Sequence, residues 1–180
     1  MTVIDELVDA NRHFETVFNY GHLPRRPSRE VAVLTCIDAR VDLYALLGLK
    51  PGEANLVRTA GGRAADAVRS LVVATTLLGI REIAVVHHTD CGLVAFTNED
   101  IRAKLAADVG PEAAAAAEHV DFLPITDLDA SVLEDITLLR TTPMIAEDID
   151  IRGFVYHVES GHLREIIVED QPVNPSMNPT

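Results

Sequence analysis

The stretch Val31-Ala32-Val33-Leu34-Thr35-Cys36-Ile37-Asp38-Ala39-Arg40 decides the fold. Its first five residues are a short, almost wholly apolar run, which predicts a buried strand. A second run of this kind, Ile83 to His87, leads into His88-Thr89-Asp90-Cys91. Both cysteines of the chain therefore fall just after strands, where helices are about to begin. In a parallel α/β sheet, that edge is where ligands bind.

Working outward, the Cys36 segment leads into a short helix over 41–47, closed by Gly48 and Pro51-Gly52. A second strand is predicted near Ala54 to Arg58. The Ala60-Gly61-Gly62 turn opens a helix from about Ala64 to Leu78, and Gly79 stops it before the strand at Ile83. Strand, helix, strand, helix, strand predicts an α/β domain with a mainly parallel sheet flanked by helices. Before it, Val3, Leu7, Phe14, Val17 and Phe18 share one helical face, making residues 1–28 an N-terminal helical arm ended by the Leu23–Ser28 segment with its two prolines. After it, Asp100 to Ala107 and the alanine run Ala113 to Ala117 suit helices, and Asp127 to Leu139 predicts an amphipathic one through Leu128, Val132, Leu133, Ile136 and Leu139. Gly153 to Val158, then Glu159-Ser160-Gly161, then His162 to Ile167 predicts a C-terminal β-hairpin. No repeat or second domain is evident, so residues 1–170 are expected to form a single domain and 171–180 a disordered tail.

The chain has 180 residues, 48% hydrophobic and 24% charged, enough for one proper core. Its net charge of −13 opposes binding to a phosphate backbone, so no nucleic-acid partner is expected. No stretch stays apolar long enough to cross a bilayer, and the first residues do not form a leader, so a cytoplasmic location without a membrane partner is expected. Two cysteines make a poor disulfide framework, and beside a histidine in a reducing compartment they read better as metal ligands.

Zinc accepts thiolate and imidazole readily, and a catalytic zinc keeps three protein ligands plus one exchangeable position. Cys36, His88 and Cys91 supply such a set. His87 is the rival to His88, but neighbours on a strand point to opposite faces, so His87 is expected to be a core histidine with its hydrogen bonds satisfied. His13, His22, His119, His157 and His162 are expected at the surface or in the hairpin. Asp38 and Arg40 offer a switch: Asp38 as a fourth ligand closes the site, whereas Asp38 held by Arg40 through paired, charge-assisted hydrogen bonds leaves that position to water.

Cys36-x-Asp38-x-Arg40 and His88-x-x-Cys91 together resemble the two signatures of the β-class carbonic anhydrases, in order, over about Arg29 to Phe96. Arg152-Gly153-Phe154-Val155-Tyr156 resembles the short bacterial members. The resemblance implies one zinc per subunit on Cys36, His88 and Cys91, with Asp38 and Arg40 as the catalytic dyad that opens the metal to water. It implies a homodimer or homotetramer, with the first helix packing on a neighbouring subunit. The family's glycine-containing loop maps onto Gly61 and Gly62, which would line the pocket and offer N–H groups to substrate. A turn that simply needs small residues explains those glycines equally well. Two departures stand out: Thr59 replaces an asparagine found in many members, and the chain lacks the tryptophan used by the noncatalytic bicarbonate site of some members.

The activity implied is reversible hydration of carbon dioxide to bicarbonate and a proton. The alternative is hydrolysis of carbonyl sulfide or carbon disulfide at the same zinc, with discrimination set by pocket residues such as Thr59, Leu93, Val94 and Phe96. A third reading is non-enzymatic, with Asp38 completing a closed structural zinc site; Arg40 argues against it, since a closed site needs no competing cation. A redox pair is disfavoured because Cys36 and Cys91 do not form a C-x-x-C motif.

Overall fold

A computed structural model of the protein describes residues 1–168. Five strands form one sheet: β1 (Val31–Cys36), β2 (Ala54–Thr59), β3 (Glu82–His88), β4 (Asp150–His157) and β5 (His162–Ile166), in the order β2-β1-β3-β4-β5. The first four are mutually parallel, and only β5 runs antiparallel to β4. Central β1 is a continuous apolar run because both of its faces are covered, as parallel sheets require.

The main core lies on one face of the sheet. Ala32, Leu34, Ile83, Val85, Ile151 and Val155 meet helices α3 (Val68–Leu77) and α7 (Leu128–Thr141) through Leu71, Ala74, Val132, Ile136 and Leu139. Asp127 caps α7 by accepting from the Ala130 N–H at 2.7 Å. Gly153 sits in β4 where α7 presses closest; a Cβ there would lie 2.3 Å from Val132 Cγ1. The other face carries a smaller cluster, Val33, Val41, Leu43 and Val86, beside the short helix α2 (Leu43–Leu47).

Among the differences from the expected boundaries, three bear on the architecture. The helix expected from Ala64 begins only at Val68, because two 3-10 turns, Ala60–Gly62 and Ala64–Asp66, come first and Gly61 and Gly62 take φ of 66° and 74°. The hairpin's first strand starts at Asp150, earlier than Gly153, with Ile151 buried and Asp150 and Arg152 exposed in strict alternation. Helix α1 ends at Glu15, short of Phe18; a capping box of Thr2 and Asp5 starts it, and none of its residues is buried. Three further helices, α4 (Gly92–Ala95), α5 (Asn98–Asp108) and α6 (Pro111–Ala116), lie between β3 and α7. The tail expected to be disordered, 171–180, lies outside the described residues.

Candidate metal centre

The parallel register brings the ends of β1 and β3 side by side, with Thr35 opposite Val86. Cys36 is the last residue of β1 and His88 the last of β3, while Cys91 caps the start of α4. These three residues are buried and offer ligand atoms that all lie within 4.8 Å of one another; the two sulfurs are 3.9 Å apart and unbonded. Sites 55 residues apart in sequence thus converge through the pairing of β1 with β3 and the turn that follows β3.

His87 and His88 are both fully buried and face opposite ways. His87 places Nδ1 2.8 Å from Ser131 Oγ and Nε2 3.0 Å from Asp135 Oδ2, both on α7. Arg63 Nε lies 3.3 Å from the same Asp135 oxygen and Arg63 Nη2 3.0 Å from Glu134, so the carboxylate is shared by two partners. His88 Nδ1 instead bonds the Thr89 carbonyl at 2.8 Å, which fixes the tautomer with Nε2 bare. That Nε2 is buried and has no hydrogen-bond partner. An orphaned imidazole nitrogen facing two thiols fits a zinc ion, whose ligand preferences are thiolate and imidazole.

The electrostatics agree. Cys91 donates to the Cys36 sulfur, which holds Cys36 well below the ordinary thiol value despite its burial, and nearby His88 lowers it further. Cys91, facing that thiolate and itself buried, is pushed up. Burial works against a proton on His88, but the Cys36 sulfur and the Thr89 carbonyl outweigh it and raise its pKa. Without a cation the two sulfurs share one proton; a dication between them removes that conflict.

Asp38 lies at the rim, with Oδ2 3.9 Å from His88 Nε2. Arg40 grips it in a fork: Nε donates to Oδ1 at 3.0 Å, Nη2 to Oδ2 at 2.8 Å, and the Arg40 backbone N–H adds a third bond to Oδ1 at 2.8 Å. The Arg40 side-chain and backbone donors hold the Asp38 carboxyl well below the usual carboxylate range, and the same pairing raises the guanidinium.

Cys36, Asp38, Gly61, Cys91, Leu93 and Phe96 are among the residues lining a cavity of about 340 Å³. Gly62 is buried behind this wall, where a Cβ would lie 3.1 Å from the Cys36 nitrogen and 3.3 Å from His87 Cδ2; its φ of 74° suits glycine. Thr59 Oγ1 donates to the Arg63 carbonyl at 3.0 Å, away from the cavity wall, and Val94 is half exposed. His13, His22, His119 and His162 are exposed, and His157 is partly buried in the hairpin beside His162. Ser131, Asp135 and Asp90 have no role in the sequence reading. Only Asp90 carried a signal, an acidic residue directly before a candidate ligand at a strand-to-helix turn.

Residues 31–163 match the family model described as carbonic anhydrase. The β-carbonic anhydrase 1 of Mycobacterium tuberculosis is 35% identical over 167 residues, covering 92% of this chain and 99% of that protein. A carbon disulfide hydrolase of Acidianus is 34% identical over 158 residues, covering 77% of this chain and 78% of its own. The crystal structure of a carbonic anhydrase from Streptococcus mutans superposes with a TM-score of 0.86 at 42% identity, covering 93% of this chain and 99% of that one. With the same fold, the Cys-His-Cys cluster and these matches in agreement, the chain belongs to the β-carbonic anhydrase family.

Proposed function

We propose that the protein catalyses the reversible hydration of carbon dioxide to bicarbonate and a proton, with Cys36, His88 and Cys91 holding one zinc per subunit. The observation that carries this reading is the bare, buried Nε2 of His88 beside two thiols, with Asp38 drawn aside by Arg40. Zinc supplies Lewis acidity, lowering the pKa of water so that a nucleophile exists near neutral pH.

The chain's own residues do the rest. Arg40 holds Asp38 as a carboxylate at the rim, where it can accept a hydrogen bond from an incoming water rather than occupy the metal. Leu93 and Phe96 give the cavity an apolar wall that suits a small, uncharged linear substrate. Gly61 exposes backbone in that wall and could orient the substrate oxygens. Two thiolates offset the zinc charge, so water should be acidified less than at a site of neutral imidazoles, and activity is expected to rise above neutral pH.

The same apolar wall favours a second reading, hydrolysis of carbon disulfide or carbonyl sulfide, which the Acidianus relative supports by its name. Stopped-flow measurement of carbon dioxide hydration across pH, with carbonyl sulfide and carbon disulfide consumption followed on the same zinc-replete preparation, decides between them. Rapid hydration that increases with pH is expected; slow hydration with fast turnover of either sulfur compound would replace the first reading with the second.

A homodimer or homotetramer in a reducing, cytoplasmic setting completes the proposal. Val3, Ile4, Leu7 and Val17 are each at least 64% exposed, an apolar stripe that a neighbouring subunit would cover. Free thiol ligands persist in such a compartment. Among the described residues no helix is long and apolar enough to cross a membrane.

A further inference from the structure

Asp90 is one of three non-glycine residues among those described with a positive φ, at 53°. It lies between the two ligands His88 and Cys91, yet its side chain points to Arg40, 50 residues away in sequence. Arg40 Nη1 donates to Asp90 Oδ2 at 2.7 Å, and Arg40 Nη2 donates to the Asp90 backbone carbonyl at 2.9 Å. The guanidinium is thereby shared: its Nε edge serves Asp38 and its Nη1 end serves Asp90, with Nη2 bonding both. The left-handed backbone turns both the carbonyl and the carboxylate of Asp90 toward the same cation, and aspartate tolerates that conformation better than most side chains.

From this geometry we infer that Asp90 is a positioning residue that locks Arg40 onto Asp38 and so keeps the Asp38 carboxylate off the metal. Without the Asp90 carboxylate, Arg40 loses its Nη1 bond and its paired charge and keeps only the Nη2 bond to the residue-90 carbonyl, so a side chain half exposed to solvent is held less firmly. Asp38 Oδ2, already 3.9 Å from His88 Nε2, is then released to the fourth ligand position. The strain observed at Asp90 fits a functional constraint rather than a folding one, because glycine would suit the backbone better. The inference rests on the proposed Asp38 and Arg40 roles.

The test uses full-length Asp90→Gly, Asp90→Asn and Arg40→Ala, each loaded with cobalt in place of zinc. Azide binding, followed by visible absorption, reads whether the fourth position is open. The melting temperature of the metal-free protein reads the fold. Asp90→Gly is expected to keep or raise the melting temperature while weakening azide binding roughly tenfold, the scale of one charge-assisted hydrogen bond. Asp90→Asn, which keeps an acceptor and tolerates the backbone, should fall between wild type and Asp90→Gly, and Arg40→Ala should bind azide at least as poorly as Asp90→Gly. Wild-type azide affinity in both Asp90 variants, with a loss in Arg40→Ala, would overturn the role of Asp90 alone. Wild-type affinity in all three would overturn the Asp38–Arg40 reading as well. A loss in the Asp90 variants without one in Arg40→Ala would mean that Asp90 does not act through Arg40, and would also overturn the inference.

Discussion

The two sides of the β3 terminus carry neighbouring histidines of equal burial and opposite fate. On the α7 side every polar atom of the His87 ring has a partner, and the carboxylate opposite is shared with Arg63. On the cavity side His88 keeps one nitrogen bonded and one bare, facing two sulfurs. Identical side chains at consecutive positions thus become a structural tie and a candidate ligand, because strand alternation sends them into different surroundings. Burial alone distinguishes nothing here; hydrogen-bond satisfaction does.

The comparison can be broken most sharply at its cavity side. His88→Ala removes one of three ligands, and carbon dioxide hydration at fixed zinc concentration should fall on the order of a thousandfold or more, since the acidified water is lost. Zinc content after dialysis should fall with it, whereas the melting temperature of the metal-free protein should drop less than for His87→Ala, because the ring gives the fold only its packing and one bond, from Nδ1 to the Thr89 carbonyl. On the opposite side, His87→Ala should act in reverse. It leaves Asp135 buried and short of a partner, so unfolding in denaturant should show a loss of about 3 kcal/mol, while the folded fraction still takes up zinc stoichiometrically.

Gly62 joins the two sides, lying between the Cys36 nitrogen and the His87 ring. Gly62→Ala should therefore cost about 2 kcal/mol in equilibrium unfolding, from positive-φ strain and crowding, and should also speed zinc loss to a chelator. Equal chelator kinetics would detach this turn from the metal centre. The smallest effect concerns pH. Asp38 has its folded pKa depressed by Arg40, so its contribution to stability is present above the ordinary carboxylate value and is lost as pH falls through the lower folded value. Melting temperatures of wild type and Asp38→Asn, both metal-free, should differ at neutral pH, and the difference should begin to shrink only below about pH 4 and narrow steadily with further acidification.

Much of this was legible in the sequence. Val31 to Thr35 and Ile83 to His87 announce strands through short apolar runs, and their pairing follows once a βαβ unit is accepted. The period of two along β3 said that only one of His87 and His88 could meet the metal, and the three-residue spacing to Cys91 favoured His88. The partners Ser131 and Asp135 were hidden because they come from a helix more than 40 residues further on, and helix spacing does not say which strand residue it will meet. The delayed start of α3 was hidden by Ala60-Gly61-Gly62, whose alanine and glycine content suits a helix start and a positive-φ turn alike. Asp90 carried a signal in its place directly before Cys91, but its turn toward Arg40 depends on a left-handed backbone that composition does not reveal.

X-ray absorption at the zinc edge of the fully loaded protein tests the central claim, that the bare nitrogen of His88 and the two cysteines hold the metal. The account predicts two sulfur neighbours at about 2.3 Å and two lighter neighbours at about 2.0 Å, with one sulfur lost in Cys91→Ala. A wild-type shell with fewer than two sulfurs, or one unchanged by that substitution, would contradict it.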